Sequence, residues 1–133
     1  MKIVAKAILY NRVGEVLVLR RSNTHPRFAL HLDFPGGEVE PGETGPIGVA
    51  REILEETGLL VAHTDLALVH SERSPSGSQH LVFRANTALD DALVTLSWEH
   101  DQFSWLSPQQ LAATPVPEGV DSYYLAVMRC LAT

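Results

Sequence analysis

The stretch that decides the fold is GEVEPGETGPIGVAREILEETGL, residues 37–59. Within it, residues 45–57 form the best helix candidate of the chain. Thr44 can act as the N-cap, Pro46 lies in the first turn, where a missing N–H costs nothing, and Gly58 can end the helix. These residues predict a helix with defined ends.

The predicted helix has an apolar side and an almost purely acidic side. At about 100° per residue, the acidic side carries three glutamates and the apolar side faces the opposite way. Like charges four residues apart destabilise a helix by about a few tenths of a kcal/mol, and the helix dipole disfavours acids in the second half. Three carboxylates within one turn are the hard oxygen ligands that Mg²⁺ and Mn²⁺ prefer. The pattern therefore favours a divalent metal site, with a solvated helix face as the alternative. The acidic residues are Glu52, Glu55 and Glu56, and the apolar side has Ile47, Ala50, Ile53, Leu54 and Thr57.

Residues 37–59 resemble the Nudix box, the signature of the Nudix hydrolase family. The pattern is Gly, five residues, Glu, seven residues, then Arg-Glu-aliphatic-x-Glu-Glu-x-Gly-aliphatic. The resemblance implies an α/β (α+β) Nudix fold, a mixed β-sheet sandwiched between helices, in one domain over residues 1–133. It also implies hydrolysis of a nucleoside diphosphate linked to another moiety, with Mg²⁺ as the metal and Mn²⁺ as a substitute. Every defined position matches: Gly37, Glu43, Arg51, Glu52, Ile53, Glu55, Glu56, Gly58 and Leu59.

The resemblance further implies roles for individual residues. Glu52, Glu55 and Glu56 would hold the metal, and the Gly36 carbonyl would be a further ligand. Arg51 would orient these glutamates, with Glu43 as its ion-pair partner.

The general base remains open between Glu52 and Glu99. The alternative for Glu99 is a solvated acid in a loop before a strand, and Asp101 is its nearest competitor.

Candidate substrate contacts lie outside the box. Arg20 and Arg21 end a predicted strand and could contact a phosphate, although strand-end arginines are more often simply exposed. A base could stack on Phe28, Phe83 or Phe103, each of which could equally pack in the core. His25 and His31 share the loop of Phe28 and could border the substrate. Pro75 has a spacing found in relatives active on ADP-ribose, but its surroundings, Ser74–Gly77, are also ordinary turn chemistry.

Strands and helices alternate along the rest of the chain. Two strands, 2–10 and 15–21, are joined by the turn 11–14, and residues 22–35 have the composition of a loop. Strands are predicted at 59–71 and 79–87, joined by the turn 74–78, and further strands at 93–98 and 102–106. A short helix is predicted at 107–113 and a last helix at 119–131.

Composition narrows the partners. The formal net charge is −6, and the ten Lys and Arg residues are scattered, so a nucleic-acid polymer is not expected as a partner. The apolar N-terminal residues are interrupted by lysines and are too few to form a membrane span, so we expect a cytoplasmic protein with no membrane partner. Cys130 is the single cysteine and reads as a small buried hydrophobic residue.

The leading functional hypothesis is hydrolysis of a nucleoside triphosphate to a monophosphate and pyrophosphate, by a monomer or homodimer acting on a small molecule. ADP-ribose, another nucleotide sugar or a dihydropterin triphosphate is the alternative substrate. A nucleotide-sensing module that has lost catalysis is the alternative from another class. Such a module would be expected to lack a box glutamate, and none is missing here.

Overall fold

Strand β1, Ile3–Tyr10, lies at the centre of the fold. Because alternate residues of a strand point to opposite faces, β1 contributes side chains to a core on each side of the sheet. Ala5, Ala7 and Leu9 pack in one apolar core, while Ile8 packs in a second core on the other face. The computed structural model describes residues 1–87 and 94–132. None of the helices in these two ranges is long and apolar enough to cross a membrane.

Seven strands form one mixed sheet in the described ranges. After β1 come β2 (Val16–Arg21), β3 (Leu32–Asp33), β4 (Gly36–Glu38), β5 (Ala67–Arg73), β6 (Gln79–Asn86) and β7 (His100–Leu106). The order is β3-β2-β1-β6-β5, with β4 paired to β1 and β7 paired to β2. The β1–β6 pair is parallel along its whole length, whereas β4 runs antiparallel to the first half of β1.

Helices cover both faces of the sheet. Helix α1 (Gly45–Thr57) contributes Val49 and Ile53 to the first core. Helices α2 (Pro108–Ala113) and α3 (Ser122–Leu131) contribute Leu111 and Val127 to the second. The predicted α/β/α sandwich is therefore confirmed.

The ends of α1 follow the capping prediction. Thr44 Oγ1 accepts a hydrogen bond from the Ile47 N–H at 3.3 Å, and Gly58 ends the helix with a φ of 71°. This positive φ is the left-handed conformation that glycine adopts without strain. The element that carries the box is therefore fixed by its own sequence at both ends.

The predicted apolar side of α1 is partly wrong: Ile53 and Thr57 are fully buried and Ala50 packs against the core, but the other two members are exposed. Ile47 and Leu54 are 42% and 48% exposed, whereas Glu56 is 4% exposed and lies on the buried side with Val49 and Ile53. These three residues are spaced at i, i+4 and i+7, so they form one stripe of the helix. Hydrophobicity alone misplaced the stripe because the helix buries a carboxylate toward β4.

Several predicted boundaries also change. The strand predicted at 59–71 is β5, which starts at Ala67 after a 3₁₀ turn at His63–Asp65. Residue 93 of the strand predicted at 93–98 lies outside the described residues, and 94–98 are not a strand. The segment 22–35, which is predicted to be a loop, contains β3. This strand pairs with β2, with Asp33 opposite Leu19. The first two strands pair with each other at one register position, Tyr10 with Val16, because β2 continues beside β7.

Candidate active site

Arg51 organises the exposed half of the box. Its guanidinium donates to both oxygens of Glu43 at 2.8 and 3.0 Å, which confirms the predicted ion pair. It also donates to Glu52 at 3.0 Å and to Glu55 at 3.3 Å. The hydrogen bond with Glu43 is the main reason that the pKa of Arg51 is raised. One permanent cation therefore holds the carboxylates of α1 in place.

Glu56 has a different environment from its two neighbours. Among the described residues it accepts one hydrogen bond, from the Gly36 N–H at 2.9 Å. Burial raises the pKa of Glu56 well above its usual range, and it also raises the pKa of half-buried Glu52 although Arg51 opposes that shift. Glu56 thus has no cation in hydrogen-bond contact among the described residues, whereas Glu52 shares Arg51 with Glu55. We call Glu52, Glu55 and Glu56 the glutamate cluster.

Two glycines create the space beside the glutamate cluster. A Cβ on Gly36, whose φ is 136°, would lie 2.1 Å from the Ala5 carbonyl oxygen, so β4 reaches β1 because this residue is glycine. A Cβ on Gly37 would lie 2.7 Å from the carboxyl carbon of Glu52. The pair therefore allows β4 to approach both its partner strand and the Glu52 carboxylate.

The glutamate cluster lines a cavity of about 330 Å³. Glu99, in the turn immediately before β7, lines the same cavity, and its carboxylate lies 3.5 Å from His25 Nε2. Asp101 points elsewhere, toward two hydrogen bonds of 2.8 Å from Arg20. Of the two acids considered for the general base outside α1, the fold brings Glu99 to the cluster.

The opposite wall of the cavity carries paired charges. Asp33 accepts hydrogen bonds from Lys6 at 3.0 Å, Arg21 at 3.2 Å and His100 at 3.0 Å, and Asp121, the N-cap of α3, accepts from Arg21 at 2.7 Å. Burial by itself would raise the pKa of Asp33, but these partners hold it far below its usual range. We call Lys6, Arg21, Asp33, His100 and Asp121 the charge network.

The predicted substrate contacts separate into two groups. Arg21 lines the cavity, and Phe28 stacks on its guanidinium with 5.5 Å between the guanidinium carbon and the ring centroid. Arg20 is paired with Asp101 and does not line the cavity.

The remaining candidates fall mainly outside the cavity. Phe83 is buried in the first core and Phe103 packs against it, so neither offers a free ring face. Pro75 lies in the turn between β5 and β6. Of the two loop histidines, His25 lines the cavity, while His31 contacts the Phe28 ring.

Sequence reasoning missed most of the charge network. Lys6 is a charged residue in the otherwise apolar strand IVAKAILY, and this was the one available signal. Asp33 and Asp121 carry no local signal, because their partners are distant in sequence: Arg21 lies 100 residues before Asp121.

The donor set can be tested against a divalent cation. Glu56 is a buried carboxylate with one neutral hydrogen-bond donor, and Glu52 and Glu55 open into the same cavity, so oxygen ligands and uncompensated negative charge are both present. In the described ranges, no three His, Cys, Asp or Glu side chains are already grouped to hold one ion. Arg51 draws two of the carboxylates to itself, so binding would require small rotations of these side chains. The residues fit the metal.

The chain is similar to known proteins in sequence and in fold. The NUDIX domain matches residues 2–127. A Bacillus subtilis protein provisionally named 8-oxo-dGTP diphosphatase is 33% identical over 116 residues, covering 85% of this chain and 71% of the relative. An RNA pyrophosphohydrolase of Serratia proteamaculans is 36% identical over 67 residues, which is 50% of this chain and 34% of that protein.

The crystal structure of a MutT protein from Methanosarcina mazei Go1 has the same fold. It superposes with a TM-score of 0.75 at 28% identity and covers 98% of this chain and 92% of its own. The box residues, the sandwich and these similarities lead to one assignment. The chain belongs to the Nudix hydrolase family.

Proposed function

We propose that this Nudix hydrolase requires Mg²⁺, for which Mn²⁺ can substitute, and cleaves a nucleoside triphosphate into a monophosphate and pyrophosphate. The observation that carries the proposal is Glu56, a buried carboxylate whose pKa is raised well above its usual range by burial. Such a group gains from an external cation. Glu52 and Glu55 lie in the same cavity and supply further oxygen ligands.

The residues have distinct roles in this proposal. Glu52, Glu55 and Glu56 hold the metal, with the Gly36 carbonyl as a further ligand. A divalent ion there supplies positive charge for phosphate oxygens and lowers the pKa of water. Arg51 keeps the carboxylates oriented, because its guanidinium bonds to Glu52 and Glu55.

Glu43 supports this arrangement by holding the other edge of the Arg51 guanidinium. Glu52 or Glu99 accepts a proton from the water that attacks phosphorus. Both carboxylates line the cavity, so each can reach a substrate bound there.

Arg21 and Phe28 border the substrate in this proposal. Arg21 lines the cavity, and Phe28 contacts its guanidinium from the loop that follows β2. We assign no substrate contact to Arg20, because its guanidinium is held by Asp101. The name of the Bacillus subtilis relative supports a triphosphate substrate.

The alternatives are ADP-ribose or another nucleotide sugar, a pterin triphosphate, and a nucleotide sensor without turnover. The RNA pyrophosphohydrolase relative adds RNA to the substrates worth testing. The net charge of −6 argues against a long nucleic-acid contact, so we propose a small-molecule substrate for a monomer or homodimer.

The test is a phosphate- and pyrophosphate-release screen with Mg²⁺, with Mn²⁺ and with chelator. The panel contains nucleoside triphosphates, oxidised guanine nucleotides, nucleotide sugars, dinucleoside polyphosphates, pterin triphosphates and a 5′-triphosphorylated oligonucleotide. We expect metal-dependent release of pyrophosphate from a nucleoside triphosphate. Turnover confined to a sugar conjugate would move the assignment to the alternative, and binding without turnover by any compound would support the sensor.

A further inference from the structure

Lys6 is the one lysine in the middle of an apolar strand, and the fold buries it. Its side chain is 8% exposed. The ammonium donates to Asp33 Oδ1 at 3.0 Å, to the Phe34 carbonyl at 3.1 Å and to the Gly36 carbonyl at 3.2 Å. An ammonium has three N–H donors, so all of them are used.

These three acceptors lie within four consecutive residues, 33–36. The Lys6 ammonium therefore binds the end of β3, the connection that follows it and the start of β4. The β1–β4 register places Lys6 directly opposite Gly36, so the lysine and its last acceptor belong to neighbouring strands. Backbone pairing also holds this segment, through Asp33 with Leu19 of β2 and through the Pro35 carbonyl with the Ala7 N–H, and the ammonium adds three side-chain hydrogen bonds.

The Gly36 residue links Lys6 to the glutamate cluster. Its carbonyl accepts from Lys6, and its N–H donates to Glu56 Oε1 at 2.9 Å. A displacement of Gly36 would therefore change both the direction of a carbonyl in the cavity wall and the position of the Glu56 carboxylate. Gly36 has little room to move toward β1, since even a Cβ added to it would lie 2.1 Å from the Ala5 carbonyl oxygen and 2.8 Å from the Lys6 Cα.

We propose that Lys6 is a positioning residue for the metal end of the cavity, acting through Gly36 on Glu56. The effect of Lys6 on metal binding rests on the proposed function. The three hydrogen bonds from the Lys6 ammonium, which we call the clamp, exist without metal. Removing the ammonium would leave the buried Phe34 and Gly36 carbonyls without this donor, whereas Asp33 Oδ1 would keep the Phe34 N–H. The segment 33–36 would then shift to find other donors, and the Gly36–Glu56 hydrogen bond would be lost.

The main competing explanation is that Lys6 contributes only to global stability. Lys6→Met tests this, because methionine has a similar length and donates no hydrogen bond. The matched control is Val127→Ala, which opens a gap in the second core at a fully buried residue and makes none of the hydrogen bonds of Lys6. Both variants are compared at a temperature where circular dichroism shows each of them folded.

The first measurement is the amide hydrogen exchange rate of Gly36 in the metal-free protein. We expect Lys6→Met to accelerate this exchange by more than its change in global stability accounts for, and Val127→Ala to show no such excess. Equal protection of Gly36 in wild type and Lys6→Met, after correction for stability, overturns the clamp.

The second measurement is the dissociation constant for Mn²⁺ alone, from the electron paramagnetic resonance signal of free Mn²⁺. Residues that hold metal ligands in place typically contribute about tenfold or more to affinity, so Lys6→Met should weaken binding by about that factor. Val127→Ala should bind as wild type does. Wild-type protein that binds no Mn²⁺ would refute the proposed function, whereas tight wild-type binding that Lys6→Met leaves unchanged would refute the role of Lys6.

Discussion

Two carboxylates in the same cavity have opposite electrostatics. Asp33 is 2% exposed and Glu56 is 4% exposed, so burial is nearly the same for both. The pKa of Asp33 is far below its usual range, while the pKa of Glu56 is well above it. Since burial raises the pKa of any carboxyl group, the partners must account for the difference.

The difference lies in how many cations each carboxylate contacts. Asp33 touches the ammonium of Lys6 and the guanidinium of Arg21, and it also accepts a hydrogen bond from His100. Glu56 accepts a single backbone N–H within the described residues. The charge network therefore pairs its carboxylates with cations of the chain, whereas Glu56 has no such contact among the described residues and would gain from an external cation. Burial alone thus does not set the direction of a carboxyl group's pKa shift, and the cations in contact with the group decide it.

The largest expected effect comes from removing the Asp33 carboxylate from the charge network. Asp33→Asn leaves Lys6 and Arg21 buried without their shared carboxylate, and loss of one partner of such a pair costs about 3 kcal/mol. Urea denaturation at pH 7 should show this loss, while Asp65→Asn, at an exposed acid, should not.

The same variant has a defined pH dependence. Because the pKa of Asp33 is lowered in the folded state, its stabilisation is fully present above the unfolded value of about 3.9 and is lost as the pH falls below it. The stability gap between wild type and Asp33→Asn should be constant from neutral pH down to that value and should narrow in stronger acid. A gap that widened in acid would show that Asp33 is not held ionised by the charge network.

Removing a charge from the glutamate cluster should lower activity and leave stability intact. Glu56→Gln keeps an oxygen for the Gly36 N–H and removes a buried charge, so the metal-free variant should be no less stable than wild type at pH 7. Its Mg²⁺-dependent turnover should fall by about a hundredfold, the upper end of the losses seen around metal sites. Glu118→Gln, at an exposed acid outside the cavity, is the control. Turnover within a factor of two of wild type would remove Glu56 from the metal site.

A smaller effect is expected at Glu99, and it tests whether this residue acts together with the glutamate cluster. Glu99→Gln should lower turnover by about tenfold and leave the melting temperature unchanged, because its carboxylate lines the cavity and is partly exposed. Asp101→Asn is the comparison, since this acid is two residues away and faces Arg20. Equal activity of both variants would retire Glu99 from the site.

The smallest effect is expected outside the cavity. The Arg20–Asp101 pair is about one-third exposed on both sides, and exposed pairs contribute little to stability because solvent screens them. Asp101→Asn should therefore change the unfolding free energy far less than Asp33→Asn does, and the remaining effect should vanish at high salt. A loss as large as that of Asp33→Asn would contradict the distinction between the buried charge network and this surface pair.

The sequence predicted features that depend on neighbouring residues. The ends of α1 follow from Thr44 and Gly58, and the Arg51–Glu43 pair follows from two motif positions that are eight residues apart. The buried position of Glu56 was missed, because a helical wheel ranks residues by polarity and this helix turns a carboxylate inward. The face of a helix is decided by what packs against it, here β4 and its glycines.

The charge network could not be predicted for a related reason. Lys6 meets Asp33 across 27 residues, and nothing local to either residue specifies the pairing. Strand β3 is equally hidden, because two residues form a strand only where β2 already provides an edge. Pairwise contacts of this kind become visible once the sheet order is known.

The Arg21–Asp121 contact has a consequence for synthesis of the protein. Its two residues are separated by 100 positions, and Asp121 caps the last helix. On a ribosome that adds about 5–20 residues per second, Arg21 therefore waits several seconds for its second carboxylate. Until then the interior of the nascent chain holds an excess positive charge that water or a chaperone must accommodate. Docking of α3 brings Asp121 to Arg21. A chain released before that helix has emerged should therefore keep Arg21 without this partner and be bound by chaperones.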